Sequence, residues 1–143
     1  MKTRAAAKIR VQYRPDSYGG PTVVVDLHDE MGLHGLRDIF FRLATGELSE
    51  LDLQEQESVA VLSPIERFTL RTVQSGKEPR RRLLVRSGNG CELLWMRSRE
   101  GWEDCVLLMS GFMLPGQRGR PGHQYLNGDS QDDAVIEVRY REG

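Results

Sequence analysis

Three histidines, two cysteines and several clusters of charge are the side chains here with chemistry beyond packing. His123 lies outside the N-terminal third, beside Gln124 and Tyr125 and just after the glycine- and arginine-bearing stretch Gly116 to Gly122. A histidine beside a basic loop suits acid–base catalysis or anion binding. Strand geometry offers a plainer role, with His123 and Tyr125 on one face and Gln124 and Leu126 on the other. The chain carries no Gly-x-Ser-x-Gly elbow, and neither Cys91 nor Cys105 has an evident base partner in sequence. The Gly116–Gly122 loop follows a helical pattern and opens none, so it fails the context test for a phosphate-binding loop. No catalytic residue is assigned, and the balance is against an enzyme.

Metal-binding side chains gather in Asp26-Leu27-His28-Asp29-Glu30, with His34 further on. The two histidines are six positions apart, whereas one helical face needs three or four. Carboxylates before a helix also simply complement its dipole. No metal and no cofactor are expected. Cys91 and Cys105 have no Cys-x-x-Cys spacing and make no disulfide framework, so buried free thiols are expected.

Charge is the stronger signal. Residues 1–25 hold five basic and one acidic residue, and residues 26–66 hold two basic and ten acidic. Residues 67–99 hold nine basic and two acidic, and residues 100–143 four basic and eight acidic. Arg80-Arg81-Arg82, with Lys77 before and Arg86 after, is the densest basic cluster, and arginine grips carboxylate or phosphate bidentately. A candidate binding face therefore comprises Arg67, Arg71, Arg80, Arg81, Arg82, Arg86 and Arg139, with His123. Glu47, Glu50, Asp52, Glu55 and Glu57 form a candidate acidic partner surface. The plainer reading is that opposite blocks neutralise each other across a sheet.

The elements that position these groups follow from periodicity. Ile9–Arg14 and Thr22–Leu27 alternate as strands around a turn-rich loop. Leu33, Leu36, Phe40 and Leu43 recur at helical spacing, which predicts a helix from Met31 or Gly32 to Thr45, closed by Gly46. Glu47 to Glu57 reads as a short edge strand or a loop. Ser58–Leu62, Ile65–Val73 and Arg81–Arg86 read as strands, the last joined to Cys91–Arg97 through Ser87-Gly88-Asn89-Gly90. Ser98 caps a second, largely buried helix carrying Trp102, Cys105, Val106, Met109, Phe112 and Met113. Gly122–Leu126 and Ala134–Tyr140 close the chain, and no internal repeat is visible.

These elements predict a single α+β domain over residues 1–143. They also predict a mainly antiparallel twisted sheet of about six to seven strands, with two helices packed on one face. Residues 1–8 and the loop 115–122 are expected to be flexible. No apolar run approaches the ~20 residues that span a bilayer, and the N-terminus lacks a signal-like apolar stretch. No membrane contact and a cytoplasmic location are expected. The chemistry points first to a non-enzymatic protein that binds another protein. The second reading is a nucleic-acid-binding module using the arginine face, and the last is an enzyme using His123 or His28. Size and segregated charge are similar to those of small bacterial immunity or antitoxin proteins, a likeness of class carried by no motif.

Overall fold

The structure is a computed structural model that describes residues 8–17, 20–114, 122–127 and 131–140. Strands β1 (Ile9–Arg14) and β2 (Thr22–Leu27) form the expected hairpin. Helix α1 (Glu30–Thr45) begins where Asp29 Oδ1 accepts the Gly32 amide at 2.9 Å, and ends at Gly46, whose φ of 82° suits glycine. The acidic stretch that follows is part strand and part turn. It holds β3 (Glu50–Asp52) and a single 3-10 turn at Leu53–Glu55, and β4 (Val59–Val61) follows within the expected strand Ser58–Leu62. Next come β5 (Ile65–Thr72), β6 (Leu83–Ser87) and β7 (Cys91–Arg97). Ser87 pairs with Cys91, so the β6–β7 loop is Gly88-Asn89-Gly90. Helix α2 (Arg99–Ser110) starts at the predicted cap, with Ser98 Oγ accepting the Gly101 amide at 3.2 Å. Its apolar stripe continues into a 3-10 turn, Gly111–Met113, and β8 (Gly122–Tyr125) and β9 (Val135–Tyr140) complete the chain.

The α+β class holds, but the single antiparallel sheet does not. There are two mixed sheets, one of five strands in the order β4-β1-β2-β9-β8 and one of four in the order β3-β5-β7-β6. Sequence neighbours pair antiparallel, as hairpin signals predict, in β1–β2, β6–β7 and β8–β9. The joins that build the sheets are parallel, β2 to β9 and β5 to β7, between segments distant along the chain. No turn chemistry announces such joins.

These pairings reveal a repeat that the residues conceal. Each half of the chain runs hairpin, helix and a closing strand pair, β3 with β5 (β4 lying between them in sequence) and β8 with β9. Each pair joins the other half's hairpin, β5 to β7 and β9 to β2. Thus β2 beside β9 corresponds to β7 beside β5. Val23, Val25 and Leu27 face Ile136, Val138 and Tyr140, while Leu93, Trp95 and Arg97 face Phe68, Leu70 and Thr72. The helices follow suit. Gly32, Leu33, Leu36, Phe40 and Leu43 are buried at the same spacing as Gly101, Trp102, Cys105, Met109 and Phe112. Only the glycine is common to both sets.

The helices pack antiparallel across the centre. Arg99, at the start of α2, donates to the Ala44 and Thr45 carbonyls at the end of α1, and Arg37 donates to Ser110 Oγ at the end of α2. A cation at a helix C-terminus satisfies bare carbonyls and complements the dipole. Phe40, Trp95 and Trp102 meet beneath, with ring centroids 4.8–5.9 Å apart. One buried apolar cluster draws on both sheets and both helices.

Candidate functional site

In the four-stranded sheet, alternate residues of β7 are buried inward, from Cys91 through Leu93 and Trp95 to Arg97. Glu92, Leu94 and Met96 therefore point outward, and no element among the described residues covers them: Glu92 is exposed, and Leu94 and Met96 are half-buried. Register places Arg67, Glu92 and Arg86 in one row across this outer face. The next row holds Asp52, Thr69, Leu94 and Leu84, and the third holds Glu50, Arg71 and Met96. The rows enclose a shallow depression of about 200 Å³ with Leu84 and Leu94 as its floor and Arg67, Arg71, Arg86 and Glu92 around it.

The two candidate charged surfaces meet here. Asp52 accepts from Thr69 Oγ1 at 2.6 Å and lies 3.3 Å from Arg67 Nη2, and Arg71 Nε is 2.5 Å from Glu50 Oε1. Partial burial pushes the Asp52 carboxyl upward, but the Thr69 hydroxyl and the Arg67 guanidinium together hold it below the usual range. Arg82 lies 3.8 Å from Glu78. Among the described residues, Arg86 has no ion pair. The face is thus an apolar floor rimmed by arginines, most of them already engaged by carboxylates.

Other candidates are scattered. Arg81 is drawn to Asp133 at 2.7 Å, away from its two neighbours, and Arg80 is exposed without an ion pair among the described residues. Arg139 and His123 belong to the other sheet, where they face each other across β8 and β9, and Arg139 pairs with Glu137 at 3.0 Å. His123 is exposed and packs edge-on to Tyr125. The single arginine face is therefore split, because the chain makes two sheets. Glu47 pairs with Arg42, while Glu55 and Glu57 are exposed. Arg118, Arg120 and Arg141 lie outside the described residues, as do 1–7 and 115–121 of the segments 1–8 and 115–122 expected to be flexible.

The ligand-type residues near α1 have separate duties. Asp26 accepts from Gln12, Asp29 caps the helix and holds Lys8 at 3.0 Å, and His28 and His34 are exposed. Among the described residues no three such side chains converge on a metal-sized space. Both cysteines are buried and free. Burial pushes the Cys91 thiol up and the Cys105 thiol up to about 12, far from the thiolate a nucleophile needs.

Two polar clusters went unforeseen. Arg97 is buried, and its guanidinium meets Glu78 Oε1 at 2.8 Å while Ser98 Oγ donates to Glu78 Oε2 at 3.0 Å. Asn127, Asp132 and Asp133 form the second, bridging the two sheets. Asn127 Nδ2 donates to Asp132 Oδ2 at 2.9 Å, and Asp132 Oδ1 accepts the Arg82 and Leu83 amides at 2.6 and 3.1 Å. The adjacent carboxylates before a strand were the available signal, since such side chains satisfy backbone donors at strand edges. No family model, curated protein or solved structure matches this chain.

Proposed function

We propose that the protein is a non-enzymatic binding protein whose partner is another protein, and that the outer face of the four-stranded sheet is the contact. The observation that carries this reading is the half-buried floor of Leu84 and Leu94 framed by Arg67, Arg71 and Arg86. Exposed apolar surface rimmed by arginine is the usual chemistry of a protein contact. A nucleic-acid partner fits less well. Arg67, Arg71, Arg81 and Arg139 each lie within 3.3 Å of a carboxylate, and counterion release needs open cations. None of the residues around the depression is aromatic, so it offers no base a platform to stack on. An immunity or antitoxin role is a special case of the protein contact, with a toxin as partner. The same reading places the protein in the cytoplasm, where two free thiols persist.

Affinity capture with wild type and Leu94→Asp, side by side, tests the proposal. Leu94 is half-buried on the outer face, so the variant keeps the core. A protein held by wild type and lost by the variant supports the reading. Equal capture by both overturns the assignment of the face. Retarded RNA or DNA at low salt, relieved by Arg86→Glu, favours the nucleic-acid alternative instead.

A further inference from the structure

A second depression, of about 430 Å³, lies between α1 and the chain entering β4. One wall is the ridge Met31, Gly35, Ile39, spaced one helical turn apart, and the other is Gln56 to Ser58. Gly35 opens the middle of the ridge, since a Cβ there would meet only Ile9 Cδ1 at 3.6 Å. Met31 stands at one end with 70% of its surface exposed, an apolar side chain with little to cover it.

The charges around this groove are unequal in a way that their number hides. Its two cations are already engaged, Lys8 by Asp29 at 3.0 Å and Arg42 by Glu47 at 3.2 Å. Its two carboxylates, Asp38 and Glu57, are exposed and make no ion pair among the described residues. An occupant therefore meets an apolar floor between two open negative charges. Anionic polymers and anionic surfaces are repelled by that arrangement, and cations are attracted.

We infer that this groove docks a basic amphipathic segment of a partner protein. An apolar side chain would lie over Gly35 and Ile39 against Met31, and lysine or arginine would reach Asp38 and Glu57. The site is separate from the sheet face and does not depend on what binds there.

The test titrates isotope-labelled full-length protein with three synthetic peptides of one leucine pattern, whose polar positions are all arginine, all glutamine or all glutamate. The arginine peptide should shift the Gly35, Ile39 and Ser58 amides and bind roughly tenfold tighter than the glutamine peptide. The D38N/E57Q variant, altered only at exposed positions, should keep its melting temperature and lose most of that preference. The charge-reversed D38K/E57K should turn the preference toward the glutamate peptide. Equal binding of all three peptides, binding unaffected by D38N/E57Q, shifts confined to other surfaces, or no binding would each overturn the inference. Concentration-dependent shifts at the same amides without peptide would also overturn it, assigning the groove to a second copy of the chain.

Discussion

The carboxylate of Asp133, in the loop before β9 of one sheet, accepts the amide of Val85, on the edge strand of the other, at 2.8 Å. The Asp133 amide in turn donates to the Leu83 carbonyl at 3.1 Å, and Asp132 takes the Leu83 amide. The loop thus occupies the open hydrogen-bonding side of β6. In the other half, β4 lies along β1 in the corresponding place. Both connections between closing strands therefore cover the outer edge of a hairpin. Uncovered edges invite pairing with other chains.

Removing this cover should cost stability and solubility together. Asp133→Ala leaves the Val85 amide and Arg81 without their partner. A loss of roughly 1–2 kcal/mol in urea denaturation is expected, because a half-buried amide regains only part of its bonding from water. Asp132→Ala should cost a similar amount. Light scattering on holding the variants at high concentration should rise above wild type. Unchanged stability in both would show that the loop is incidental to β6.

Two glycines of α1 should respond oppositely to alanine. A Cβ on Gly32 would run into the Lys8 carbonyl oxygen, which is backbone and cannot swing aside. Gly32→Ala should destabilise by about 1–3 kcal/mol. At Gly35 the nearest atom would be at ordinary contact distance, 3.6 Å, so alanine should stabilise by roughly 0.5–1 kcal/mol through helix propensity. Thermal or urea melts of the two variants check the pair.

Stability should fall on the acid side. The Asp29 carboxyl is held below the usual range first by the Gly32 amide and then by Lys8, and Asp52 is held low by Thr69 and Arg67 against the effect of burial. A carboxyl lowered on folding contributes stability above its unfolded value, ~3.9, and loses it as pH falls through the folded value. The urea midpoint should stay level from about pH 7 to 5 and drop below about pH 4, with a shallower drop in Asp52→Ala. An identical acid limb in that variant would remove Asp52 from the account.

Neither thiol should react in the native protein. Cys105 is pushed up to about 12 by burial and Cys91 is buried as well, so thiolate is scarce at both. A chromogenic disulfide reagent at mildly alkaline pH should release colour only on unfolding, and then for both cysteines. Rapid labelling of either in the folded state would reopen nucleophilic chemistry.

Local structure was legible where it rests on local chemistry. Asn89-Gly90 marks the β6–β7 turn, Ser98 caps α2, and the Leu33–Leu43 spacing marks α1. The join of β2 to β9 was not legible, because Val23, Val25 and Leu27 alternate in a way that suits any parallel or antiparallel neighbour. The repeat was hidden for a related reason. Packing asks only for apolar bulk at matching positions, so Leu33 and Trp102 serve alike, and Arg97 stands where Leu27 does. For the site, segregated charge rightly suggested neutralisation across a sheet, and Asp52–Arg67 and Glu50–Arg71 realise it. That the same face carries an apolar floor depends on which strands are neighbours, and so could not be read in advance.

The proposed protein contact lies on the outer face of the four-stranded sheet. Hydrogen exchange, measured on wild type with and without the protein that it captures and Leu94→Asp does not, tests it most directly. Protection concentrated in β5, β6 and β7, around Thr69, Leu84 and Leu94, is the predicted result. Protection that bypasses these strands and falls on α1 or on β8 and β9 would contradict it.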